Sequence, residues 1–153
     1  MSSAPVVVVG VDHSEGAKAA LRFAFEEARL RHARLRVVHA WQYGVPLAAT
    51  GFDGFSAAAV DVDVSELREA AERQLEQTVQ ETVPASSCVE VERRLVEGRP
   101  AGVLVEASRD ADLLVVGSRG HGGFAGLLLG SVSQQVSQHA ECPVAIVRAP
   151  TGG

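Results

Sequence analysis

Cysteine is nearly absent from this chain. Cys88 and Cys142 are the two in 153 residues, and they form no CxxC pair. There is thus no disulfide framework to organise the fold and no cysteine-based zinc motif. Both cysteines border apolar, strand-like runs and are expected as small buried core residues. The five histidines show neither HxxxH nor HExxH spacing, so the helical zinc motifs are excluded and no metal ligand is assigned.

Basic charge is also scarce. Lys and Arg total 14 against 19 Asp and Glu, a formal net charge of -5, and no basic stripe is present that could neutralise a phosphate backbone. Nucleic acid is not an expected partner. Long apolar runs are missing as well: none approaches the roughly 18 to 20 residues that span a bilayer, and the opening MSSAP lacks the basic n-region of a signal peptide. The expectation is a soluble, cytoplasmic protein with no membrane partner. Its length and 46% apolar content suit one domain over residues 1–153 with a single sizeable core.

What the chain does contain is a regular exchange of strand and helix patterns. Residues 5–11 (PVVVVGV) form a β-branched run without polar alternation, as in a central parallel strand buried on both faces. Ser14 is the expected N-cap of a helix whose Ala17, Ala20, Leu21, Ala24 and Ala28 recur at helical spacing, with Lys18, Arg22, Glu26 and Arg29 outward. Residues 35–41 (LRVVHAW) give a second strand and complete a βαβ unit, with the right-handed crossover such units take. From 42 to 63 the pattern dissolves into a flexible loop carrying Tyr43, Phe52 and Phe55.

Ser65 then opens an amphipathic helix that Pro84 ends, with Leu67, Ala71, Leu75, Thr78 and Val79 on its inner face. Residues 88–96 (CVEVERRLV) alternate like a half-exposed strand near a sheet edge. Gly98, Arg99 and Pro100 begin a third helix, with Val103, Leu104 and Ala107 inward. Residues 112–116 (DLLVV) and 143–147 (PVAIV) supply the last two strands. Alternation of this kind predicts an α/β, doubly wound, five-stranded parallel sheet with helices on both faces. Ligands bind such sheets at the carboxyl ends of strands where the winding reverses. The two segments with suitable chemistry follow strands one and four, which makes those strands neighbours and predicts the order 3-2-1-4-5. On that order Cys88 and Cys142 belong to opposite edges.

Residues 117–133 (GSRGHGGFAGLLLGSVS) are the chemically loaded stretch. A glycine-rich loop between a strand's carboxyl end and a helix's amino end is a phosphate cradle, because unpaired backbone N–H groups and the helix dipole favour an anion there. Neither of the commonest nucleotide motifs is present: no GxxxxGKS supplies a P-loop lysine, and no GxGxxG follows strand one. The spacing is instead Gly117, two residues, Gly120, nine residues, Gly130 and Ser131.

That spacing, with VGVDHS at 9–14, VVHAW at 37–41, GRP at 98–100 and CPVAIV at 142–147, resembles the universal stress protein family over about residues 5–148. The resemblance implies an adenine nucleotide alpha hydrolase-like fold of the ATP-binding subclass. Carried over by position, it implies that Gly117, Gly120, Gly130, Ser131 and Val132 contact triphosphate and ribose, with Val116, Arg119 and Ser133 beside them. It places Gly10, Val11 and Asp12 near adenine and ribose, and the backbone at Ala40 on the adenine edge. The implied cofactor is ATP, with Mg2+ held through the phosphates.

Several of these residues have a second reading. Ser131 with Gln134 three residues on forms a capping box. Asp12 could complement the first helix's dipole. Arg119 is either a phosphate clamp or a solvated loop arginine. Phosphoryl transfer would need a positioned base, a metal-holding carboxylate and a charge clamp, and beyond Asp12 no second carboxylate or lysine stands beside the loop. A nucleotide-dependent stress or signalling module is therefore expected ahead of a slow ATP hydrolase or adenylate-transferring enzyme, and no catalytic residue is assigned. The strand at 143–148 would be an unprotected apolar edge in a monomer; the resemblance likewise implies a homodimer joined there.

Overall fold

In a computed structural model, the protein is described at residues 3–12, 14–42, 63–119 and 129–149. Among the described residues, five strands alternate with four helices: β1 (Val6–Gly10), α1 (Glu15–Arg31), β2 (Arg34–Trp41), α2 (Val64–Thr82), β3 (Val91–Glu97), α3 (Pro100–Ala107), β4 (Leu113–Gly117), α4 (Ser131–His139) and β5 (Val144–Val147), with a 3-10 turn at Ser108–Asp110 before β4. All pairings are parallel and the order is β3-β2-β1-β4-β5, as the sequence predicts.

Alternation along β1 divides the core in two. Val7 and Val9 join Leu21, Ala24, Leu75 and Val79 in a cluster under α1 and α2, while Val6 and Val8 join Leu104 and Val136 in a cluster under α3 and α4. Such a strand must be apolar at successive positions, which explains the unbroken valine run. The alanine stripe of α1 (Ala17, Ala20, Ala24, Ala28) is fully covered. Its C-terminus closes at His32, the one described non-glycine residue with positive φ (52°), whose N–H reaches the Ala28 and Arg29 carbonyls.

Several boundaries and burials differ from expectation. Asp63, not Ser65, begins α2: its carboxylate accepts the Ser65 N–H at 3.0 Å. Leu67 is 37% exposed, because the first turns of α2 extend beyond the surface it covers and its inner face starts at Ala71. On α3 the buried residues are Ala101 and Leu104, with Val103 and Ala107 half-buried. Cys88 is exposed and Cys142 half-buried. Both precede their strands, in connections, so Cys88 stays at the surface while Cys142 packs only against the margin of the core under α3 and α4; burial pushes the Cys142 thiol up and disfavours its thiolate. Within β2, Arg36 is buried, yet its guanidinium donates to Glu92 on β3 at 3.1 Å and to Asp110 at 3.0 Å. A charge so placed persists because both carboxylates are in reach.

Candidate nucleotide site

β1 and β4 lie side by side, paired from Val7↔Leu113 to Val9↔Val115. The chain leaves β1 toward α1 on one face and leaves β4 toward α4 on the other. A crevice therefore opens at their carboxyl ends, as in other doubly wound sheets.

On the β1 side, Val11 is fixed by two bonds. Its N–H donates to the Val38 carbonyl at 3.0 Å, and its own carbonyl lies 2.9 Å from Nδ1 of buried His39. A carbonyl can only accept, so this contact requires the proton on Nδ1. The Val11 side chain belongs to the core under α1. Asp12 is half-buried, and one carboxylate oxygen accepts both the N–H (3.1 Å) and the hydroxyl of Ser14. The Ser14 hydroxyl in turn accepts the Ala17 N–H at 3.1 Å. Asp12 thus reinforces the cap of α1 that the sequence predicts at Ser14.

On the β4 side, Val116 is buried in the core under α3 and α4, so its side chain is turned from the crevice. Gly117 makes a close approach: a Cβ there would stand 3.0 Å from the Gly16 carbonyl oxygen. A Cβ on Gly16 would stand 2.8 Å from the carbonyl oxygen of exposed Arg119. The start of α1 and the end of β4 are therefore pressed backbone to backbone. Gly10 is crowded differently, by the Leu104 side chain of α3, whose Cδ1 would lie 2.6 Å from an added Cβ. Ala40 is half-buried near the end of β2, in register with Val96. Gly120, like Tyr43, Phe52, Phe55, His121, Gly122, Gly123 and Gly126, lies outside the described residues.

α4 begins at Gly130, not in a capping box at Ser131. Gly130 occupies the N-cap, no side chain caps the helix, and Ser131 is already in its first turn. Gly130 donates its N–H to the Ser118 carbonyl at 2.7 Å, and buried Ser133 donates its hydroxyl to the Ser118 and Gly130 carbonyls, both at 3.0 Å. Ser118 is itself held, its N–H donating to the Val147 carbonyl at 2.8 Å. The Ser133 side chain is accordingly a tether. The amides of Ser131, Val132 and Ser133 open the helix, where the first N–H groups have no intrahelical partner. Sequence reasoning passed over Ser118, Gly16 and the role of His39; VVHAW carried His39 in plain sight, whereas Ser118 read as a spacer.

Residues 5–148 match the sequence profile of the universal stress protein family. The chain belongs to that family. It is 38% identical over 153 residues to a universal stress protein of Mycobacterium tuberculosis, covering 93% of this chain and 44% of the relative. It is 42% identical over 142 residues to one of Mycobacterium bovis, covering 93% and 45%. The chain thus spans somewhat less than half the length of these curated relatives. Among solved structures, it superposes on a universal stress protein in complex with cAMP at a TM-score of 0.71, with 27% identity over 97% of this chain and 100% of that one. A universal stress protein from Archaeoglobus fulgidus in complex with dAMP gives a TM-score of 0.54 at 25% identity, covering 96% and 99%.

Proposed function

We propose that this chain is an adenine-nucleotide-binding stress-response or signalling module that takes ATP in the β1–β4 crevice. The observation that carries the reading is the start of α4: three first-turn amides without a side-chain cap, anchored through Gly130, Ser133 and Ser118 to the end of β4. Rigid amides at a helix N-terminus suit a phosphate. The cAMP and dAMP complexes of the structural relatives support the adenine nucleotide class. The triphosphate and its Mg2+ rest on the fit of the residues: the α4 amides and Arg119 for phosphate, the Val11 and Asp12 segment for ribose, and the Ala40 backbone for the adenine edge.

Binding ranks ahead of catalysis. Neither 10–12 nor 129–133 carries a lysine or a second carboxylate, and Asp12 is engaged by Ser14. Chromatography of nucleotide extracted from the purified protein should release ATP, and Asp12→Ala should weaken ATP about tenfold in calorimetry, the loss of one strong polar contact. Absence of any ATP binding would overturn the reading. Metal-dependent single-turnover hydrolysis abolished by Asp12→Ala would replace it with the slow hydrolase.

The module is further proposed to be a homodimer through β5. That strand, VAIV, carries no charge, and all four of its residues remain partly exposed, so a second copy would cover an edge otherwise open to pairing. Ile146→Lys should give monomers by light scattering; an unchanged mass would remove β5 from the interface.

A further inference from the structure

The helices do not cover the sheet evenly. α2 packs on β2 and β3 from one side, whereas on the other side α3 packs on β2 and β1, and α4 on β5 and α3. A groove of about 630 Å3 is left between β3 and α3. Val38 and Val96 line it from the sheet, and Gly102, Val103 and Ala107 from the helix. Of these, Val38 also reaches the β1–β4 crevice, where its carbonyl accepts the Val11 N–H; Val96, Gly102, Val103 and Ala107 line the groove alone.

The groove's charges pair off except for one arginine. Arg94, Arg99 and Arg109 line it with Glu106 and Asp110, in a chain that is acidic as a whole. Both carboxylates are already engaged, Asp110 by Arg36 at 3.0 Å and Glu106 by Arg109 at 3.3 Å. Arg109 is shared with Glu141, and Arg94 pairs with Glu92. Arg99 makes no ion pair among the described residues. Gly102 adds a steric observation. A Cβ at this position would meet no atom within 4 Å, so α3 presents bare backbone to the groove although glycine weakens a helix interior.

The volume is that of a small-molecule site, and apolar walls with a few convergent polar groups are the usual lining. We propose that the groove binds an organic anion with an apolar body: the body rests on Val38, Val96 and Val103, and the acidic head pairs with Arg99. A guanidinium offers such a head two parallel hydrogen bonds.

The test is fluorescence titration of the full chain with 8-anilinonaphthalene-1-sulfonate, an apolar aromatic anion. The expected result is one bound probe per chain, unaffected by saturating ATP or by Asp12→Ala, which separates this site from the nucleotide crevice. Gly102→Phe should abolish binding by filling the groove, and Arg99→Ala should weaken it about tenfold. The neutral probe N-phenyl-1-naphthylamine should lose affinity with Gly102→Phe but not with Arg99→Ala. If circular dichroism shows that Gly102→Phe is misfolded, Arg99→Glu, a surface change, carries the test and should also abolish anion binding. Several probes per chain, displacement by ATP, or binding indifferent to both Gly102→Phe and Arg99→Glu would each overturn the proposal.

Discussion

The two faces of the sheet share the same strands but are covered by different means. On one, helices of 17 and 19 residues (α1 and α2) lie over the sheet, and α1 approaches so closely that glycine is needed at its first turn. On the other, helices of 8 and 9 residues (α3 and α4) leave the β3 side open and much of their apolar surface half-buried. The long helices lock strand positions, including the ends of β1 and β4. The short helices leave space and expose N-termini, and both proposed ligands are placed where that occurs.

The contrast is broken most forcefully by removing one leucine from each face. Leu21 is fully buried on the inner face of α1, and Leu104 is 4% exposed on α3. Leucine-to-alanine changes cost about 2 to 5 kcal/mol depending on how far the site can collapse. Leu21→Ala should fall near the top of that range and Leu104→Ala near the bottom, read as shifts in the urea midpoint at constant m-value. Equal losses would show that the α3 face is packed as tightly as the α1 face.

Two glycines sharpen the same difference on a smaller scale. At Gly16 an added methyl meets the Arg119 backbone carbonyl at 2.8 Å, whereas at Gly10 it meets the tip of Leu104 at 2.6 Å. Backbone yields less readily than a side-chain end. Gly16→Ala should therefore cost about 1 to 3 kcal/mol, as overpacking does, and should weaken ATP by displacing the segment after β4. Gly10→Ala should cost less than about 1 kcal/mol and should become nearly neutral in a Leu104→Ala background. The double-mutant cycle measures that coupling; additivity would mean that the Gly10 contact is not with Leu104.

The same distinction explains what could be read from the sequence. Strand order, the Ser14 cap and the alanine stripe of α1 were legible because each depends on local pattern and on the rule that places ligands at a winding reversal. Glycines 10 and 117 stood out, but their steric reasons were not visible, since helix-to-strand distances exist only in the fold. Ser133 read as a ligand contact because a hydroxyl at a helix start suits both phosphate and a tether to Ser118. Cys88 was misplaced, and Cys142 only half reaches the core, because apolar neighbours do not say where a strand begins. Arg36 was hidden in a strand pattern, although burial is tolerable only with Glu92 and Asp110, which are 56 and 74 residues away.

The smallest effect concerns Glu92, on the open face of β3. Burial alone would raise its carboxyl pKa, but hydrogen bonds from Arg36 and Arg94, aided by their charges, outweigh that and hold it below the ordinary glutamate value. A carboxylate depressed in the folded state contributes stability that is present above its unfolded pKa and is lost as pH falls through the folded value. The network should therefore stabilise the protein at neutral pH and lose that contribution as acidification passes the ordinary glutamate range and reaches the lower folded value. Glu92→Gln cannot ionise, so it should lower the urea midpoint at pH 7 and flatten its decline in acid, the two curves converging at low pH. Parallel curves would mean that Arg36 is held by Asp110 alone and that β3 is not fastened to β2 through this charge.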